Sequence, residues 1–315
     1  MFPRKSEYFF KDISSLCKIF LFVILLQSCA FVNALRGKTA PPASTRTLFH
    51  MTDLSGEFIL ERESGGGPKK NTHIVKRRVY QPGKAEKELE KSIAIADVGV
   101  LVDGDGEKTP VLKPKISQYT VWFESKKYFT EMKLDNASKS LLVNMSSPEA
   151  KWNGNVKVPF PKGTGVFCFF SQVIECIART RFFELSANKN TGQLNIHIIW
   201  DGYPYFQEQY SNVPSEVFSR AQVVYEGRNE ESERKYSIVF GGESIFFNID
   251  EYENLSKIFW ISQGLTIVRS DSSEVKSTKK AKKKFKQQTK ESFGRDDQFT
   301  DLEEGNEEAE EDSNE

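Results

Sequence analysis

Val166-Phe-Cys-Phe-Phe-Ser-Gln-Val-Ile-Glu-Cys-Ile-Ala-Arg179 is the stretch on which the fold turns. Val166 to Phe170, Val173-Ile174 and Cys176-Ile-Ala178 are apolar, while Ser171, Gln172, Glu175 and Arg179 gather on one side at helical spacing. The pattern predicts a helix over about 168–181 with a wide apolar face. A helix of this kind, set among strands, reads as a plug against the concave face of a curved sheet.

The flanks read as strands. Before the helix come Gly56–Arg62, Thr72–Tyr80, Ile93–Val102, Ser117–Glu124, Lys127–Leu134 and Ser140–Met145. Tyr119 to Glu124 and Phe129 to Leu134 alternate apolar and polar residues, the mark of a sheet with one wet face. After the helix come Gln193–Trp200, Phe206–Tyr210, Ser219–Tyr225, Lys235–Phe240, Ser244–Ile249, Lys257–Ser262 and Leu265–Arg269. Gly241-Gly242 and Gln263-Gly264 are hairpin-type turns. The expected fold is mainly β (α+β): a curved antiparallel sheet or half-barrel of roughly ten to twelve strands, with one apolar helix on its concave face.

The chain has 315 residues, four cysteines and 25 phenylalanines, with formal net charge zero. Cys168 and Cys176 are the two cysteines outside the N-terminal region, and an oxidising compartment would let them pair. In one continuous helix they would stand about 12 Å apart along the axis. A disulfide needs Cα atoms within about 7 Å, so the bridge requires the helix to start after Cys168.

Residues 1–28 read as a signal peptide, with basic residues before the apolar run Ile19 to Leu26. That run is far short of the roughly 20 apolar residues of a spanning helix. Two processing sites stay open. Leu26-Gln27-Ser28-Cys29 looks like a lipobox, which would make Cys29 the lipidated N-terminus; Val32-Asn33-Ala34 is an ordinary small-x-small cleavage site. The first reading puts the protein in the cell envelope, at the outer membrane facing the periplasm; the second makes it soluble in the periplasm or secreted. Residues 29–50, with Pro41-Pro42, read as a tether. The β-rich domain is expected over 51–270. Residues 271–315 form a tail too polar to support a core, with eight lysines in 276–290 and eleven acidic residues in 296–315. Such a tail suits a protein or anionic partner, or simple solvation.

Motifs for chemistry are sparse. No nucleophile elbow, P-loop or His-Glu-x-x-His appears, and nothing calls for a cofactor, a metal or a nucleic-acid partner. The three histidines are His50, His73 and His197, and His197 with Asp201 is the one local pairing a hydrolase could use. Asp103-Gly-Asp-Gly-Glu107 departs from a calcium loop in its glycine and glutamate positions and reads as a polar turn. Asn136, Asn144 and Asn254 head glycosylation sequons. The remaining signal is apolar and mainly aromatic: Trp122, Phe169, Phe170, Val173, Trp200 and Trp260 either fill a core or line a cavity for an apolar ligand.

With the lipobox-like Leu26 to Cys29, the meander over 56–145, the apolar helix and the later strands, the layout resembles bacterial lipoprotein carriers, as in the LolA and LolB families, and uncharacterised periplasmic proteins that share their curved sheet. The resemblance implies a cavity for acyl chains and carries over no binding residue. The charged tail lies outside that pattern. The expectation is a lipid-anchored, non-enzymatic envelope protein that binds a lipid or other amphipathic ligand. Its rivals are an interaction module using a sheet edge and the tail, and a hydrolase.

Overall fold

A computed structural model describes residues 44–271, apart from 68, 85–86, 103, 105, 136 and 163–164. The signal region, Cys29, most of the tether, Asp103, Asp105, Asn136 and the charged tail lie outside the described residues.

The first meander comprises β1 (Thr45–Asp53), β2 (Gly56–Gly66), β3 (Thr72–Tyr80), β4 (Glu88–Val102), β5 (Lys108–Phe123), β6 (Lys126–Asp135), β7 (Ser140–Ser146) and β8 (Gly154–Pro159). Then come β9 (Val166–Phe169), the helices α1 (Val173–Arg179) and α2 (Phe182–Lys189), and β10 (Gln193–Ile199). A short helix α3 (Tyr205–Gln209) precedes β11 (Phe218–Arg228), β12 (Arg234–Phe240), β13 (Glu243–Ile249), β14 (Leu255–Trp260) and β15 (Leu265–Arg269). All fifteen strands form one open sheet in the order 8-7-6-5-4-3-2-1-15-14-13-12-11-10-9. Every neighbouring pair is antiparallel except β9 and β10. The fold is mainly β, a curved sheet of hairpins with its helical insert packed inside.

The insert differs from the predicted helix for a physical reason. Val166 to Phe169 is a strand, because a buried strand and a buried helix share the same unbroken apolar run. A parallel pair needs a crossover, and α1 with α2 supplies it. The helix proper starts at Val173 after a 3₁₀ turn over Phe170–Gln172, and it buries Val173, Ile174, Cys176 and Ile177. Arg181 in the left-handed region (φ 65°) breaks α1 from α2. The structure joins Cys168 on β9 to Cys176 on α1, with Cα atoms 5.8 Å apart.

Other differences are local. β1 begins at Thr45, inside the stretch read as tether. Residues 206–210, expected as a strand, lie mainly in α3, whose inward residues Tyr205 and Phe206 are buried. β5 starts at Lys108 despite Pro110 and Pro114. It pairs with β6 only from Ile116 onward, so the prolines sit where one flank needs no ladder donor. Two hairpins close on left-handed pairs, Glu124-Ser125 (φ 49° and 69°) and Gly241-Gly242 (φ 54° and 86°).

The two meanders face a shared core. Phe170, Trp200, Phe206, Tyr210, Phe240 and Trp260 form one aromatic network with ring centroids 4.5–6.4 Å apart. Full burial of each large apolar side chain contributes about 1.5–3 kcal/mol. No helix among the described residues is long and apolar enough to cross a membrane.

Candidate functional site

Strand pairing aligns a polar row across the concave face. Directly opposed residues lie on the same side of a sheet. Thr47 on β1 opposes Arg62, Arg62 opposes Arg77, Arg77 opposes Ser92, Ser92 opposes Tyr119, and Tyr119 opposes Thr130. The neighbouring row, Leu60, Val79, Glu90, Val121 and Tyr128, is apolar except at Glu90.

The helical insert and the loop after β10 lie over this row. Arg62 donates to both carboxylate oxygens of Glu175 on α1. Arg77 Nη2 stands 3.6 Å from Glu90 Oε1. Asp201 accepts from Ser117 Oγ (3.0 Å) and the Ser171 backbone N–H (3.1 Å), and also from Ser171 Oγ. Thr130 Oγ1 donates to the Tyr203 carbonyl at 2.8 Å. Burial pushes the carboxyls of Glu90 and Asp201 above the usual range, with Arg77 opposing the shift at Glu90 and hydrogen bonds from Ser171 and Ser117 opposing it at Asp201. For Glu175, burial acts upward, but the Arg62 charge and hydrogen bond outweigh it and hold the carboxyl below its ordinary value.

Beside the row is an apolar cavity of about 70 Å³. Its lining includes Leu60, Val173, Ile174, Ile245, Phe247, Trp260 and Ile267, with Arg62, Arg77, Ser171 and Tyr210 as polar wall. An apolar cavity of about 150 Å³ holds benzene. Here there is room for a short alkyl segment, and a longer chain would have to displace side chains. A wider depression of about 400 Å³ lies elsewhere, against Asp97, Lys113, Lys115, Phe160 and Phe167.

Of the six residues named from the sequence, Phe170, Val173 and Trp260 lie around the apolar cavity, while Trp122, Phe169 and Trp200 lie elsewhere. Trp122 has the opposite strand parity to Tyr119 and Val121, and its ring sits under Lys91 Nζ at 5.8 Å. Phe169 packs in a separate cluster with Met132 and Leu141. Trp200 is buried in the aromatic network and donates to Ser219 Oγ at 2.7 Å. His197 stacks on Phe167, with centroids 4.6 Å apart, and Asp201 bonds serines, so the two have separate partners. No cluster of metal-ligating side chains occurs among the described residues.

Arg62, Arg77, Glu90, Ser92 and Tyr119 were not singled out by the sequence reading. One signal was available: Arg77 falls between Val75 and Val79 at the inward parity of β3.

These features define a class: a mainly β domain whose single curved sheet encloses a helical insert over a polar row and a small apolar cavity. Neither a protein-family model nor a curated protein matches the chain. Among solved structures, a beta-barrel-like protein of a domain of unknown function from Brucella abortus is similar at 11% identity and TM-score 0.35, over 72% of this chain and 95% of that one.

Proposed function

We propose that the chain is a non-enzymatic binding protein of the cell envelope that holds the apolar part of a lipid or other amphipathic molecule inside its curved sheet. The supporting observation is the apolar cavity of about 70 Å³ enclosed by residues of both meanders and bordered by two arginines. Ligand sites are typically concave and apolar with a few placed polar groups, and this one has that composition. The lipobox-like Leu26 to Cys29 supports a membrane anchor. Mass analysis of the mature N-terminus tests it: diacylglycerol on Cys29 supports the anchor, and a free Leu35 rejects it.

Binding is tested with propan-1-ol in thermal melts, since a ligand selective for the folded state raises Tm. The wild type should rise and the cavity-filling variant Ile174→Phe should not. Equal responses would reject the cavity as the site.

A second reading has its own observation. β8 is an unpaired sheet edge carrying Val156, 43% exposed, beside Leu142 on β7. Such an edge can accept a strand from a partner protein. Val156→Pro should abolish capture of a strand-forming partner without lowering Tm by more than a few degrees; capture that survives the substitution would reject this reading.

A further inference from the structure

The middle of the polar row presents buried polar atoms whose hydrogen bonding is incomplete, although Arg77 stands 3.6 Å from Glu90 and Tyr119 lies near enough to act on the Glu90 carboxyl. Glu90 Oε1, Ser92 Oγ and Tyr119 Oη are buried and have no hydrogen-bond partner among the described residues. The residues themselves are 4%, 1% and 2% exposed. Buried polar groups in folded proteins nearly always have partners, so three unmet atoms together call for a specific occupant.

The three are neighbours by construction. Ser92 is opposed by Arg77 on one side and Tyr119 on the other, and Glu90 lies two residues along β4 on the same face. Arg77, 3.6 Å from Glu90, is also a wall of the apolar cavity. Arg77 therefore links the three residues, which lie behind it, to the wall of that cavity.

The sign of the charge selects the head group. Arg77 contributes one positive charge, while Glu90 and Asp201 contribute two carboxyls, and Arg62 is already engaged by Glu175. An anionic head would compete with two carboxyls for one arginine, in a place where burial already acts against negative charge. A donor satisfies Glu90 Oε1 directly, and a hydroxyl can also accept from Ser92 or Tyr119.

Resting on the binding role proposed above, we infer that the cavity and the polar row are one site for a small amphipathic molecule with a hydrogen-bond-donating head, an amine or an alcohol, and a short alkyl end. The alkyl end packs among Ile174, Ile245, Trp260 and Ile267. The head reaches Glu90, Ser92 and Tyr119. Burial pushes the Glu90 carboxyl upward, and a donor placed on Oε1 would act against that shift.

The test compares propylamine, propan-1-ol and propionate at matched pH and ionic strength, read as the concentration dependence of Tm on the full chain. The amine or the alcohol should bind at least tenfold more tightly than propionate. Glu90→Gln and the smaller change Ser92→Ala should each erase that preference while an alkyl-driven response persists. Propionate binding as tightly as the donors would overturn the head-group assignment and leave the binding role standing. Folded variants that keep the wild-type preference would overturn it too, assigning the unmet atoms to solvent. No response to any probe would overturn the assignment and the binding role together.

Discussion

Glu175→Gln tests how the helical insert is fixed over the sheet. Glu175 on α1 and Arg62 on β2 are joined through both carboxylate oxygens, and their side chains are only 16% and 12% exposed. Removing one partner of a buried pair costs about 3–5 kcal/mol because the other charge is stranded. The residual exposure allows some rehydration of Arg62, so about 2–4 kcal/mol is expected. For a domain of this size each kcal/mol shifts Tm by about 2–4 °C, giving a drop of about 5–15 °C. Arg62→Met alone should be costly for the mirror-image reason. The double variant Arg62→Met/Glu175→Leu should recover most of the loss, because an apolar replacement strands no charge. The assay is a double-mutant cycle by urea unfolding at pH 7.

The pH dependence supplies a second check. The folded pKa of Glu175 is depressed, so its contribution is present above the unfolded value of about 4.3 and is lost as pH falls through the folded value. Wild type and Glu175→Gln should therefore converge in stability only once the pH has fallen below the folded value. Additive single costs, or a Glu175→Gln penalty below about 0.5 kcal/mol, would show that the pair does not hold the insert.

Other expectations follow from particular contacts. Replacing Cys168 and Cys176 with alanine removes a link across a sequence separation of 8 and should cost about 2.5 kcal/mol by chain entropy, measured as the urea midpoint with and without reductant. Trp260→Ala, at a 1% exposed ring lining the cavity, should cost about 3–5 kcal/mol and enlarge the cavity, checked by calorimetry and by benzene uptake. Glu124→Asn with Ser125→Gly suits the left-handed turn between β5 and β6 and should raise stability by about 1 kcal/mol in thermal melts. Asp201 has a raised folded pKa, so its contribution declines as pH climbs from the unfolded value through the folded one; Asp201→Asn should cost less at pH 7 than at pH 4, as read by unfolding at both.

How much of this was legible depended on what each feature rests on. Alternation and punctuation are local, so β3 and β15 match their sequence bounds, and the hairpin turn at Gly241-Gly242 falls where its glycines stand. Val166 to Phe169 was misread because an apolar run without polar interruption carries no period. Residues 206–210 were read as one more strand in the series, yet tertiary packing of Tyr205 and Phe206 settles most of them in α3. Trp122 lies away from the cavity through parity: one position along β5 turns a side chain to the other face. The polar row was illegible for a deeper reason. Arg62, Arg77, Ser92 and Tyr119 become neighbours only through the register of four strands, and register is not written in any one of them.

The seam between the meanders bears on how the molecule would respond to load. β1 and β15 are joined over only Phe49 to Thr52 against Thr266 to Arg269, with Ser270 N–H donating to the Leu48 carbonyl beyond them. The strands are antiparallel, so the start of the domain and its end leave from the same end of the seam. Tension applied between the two ends would open these bonds one after another rather than shear them together. A seam of four residue pairs thus lies where the chain is held, and a pull would load it before the longer ladders of either hairpin array.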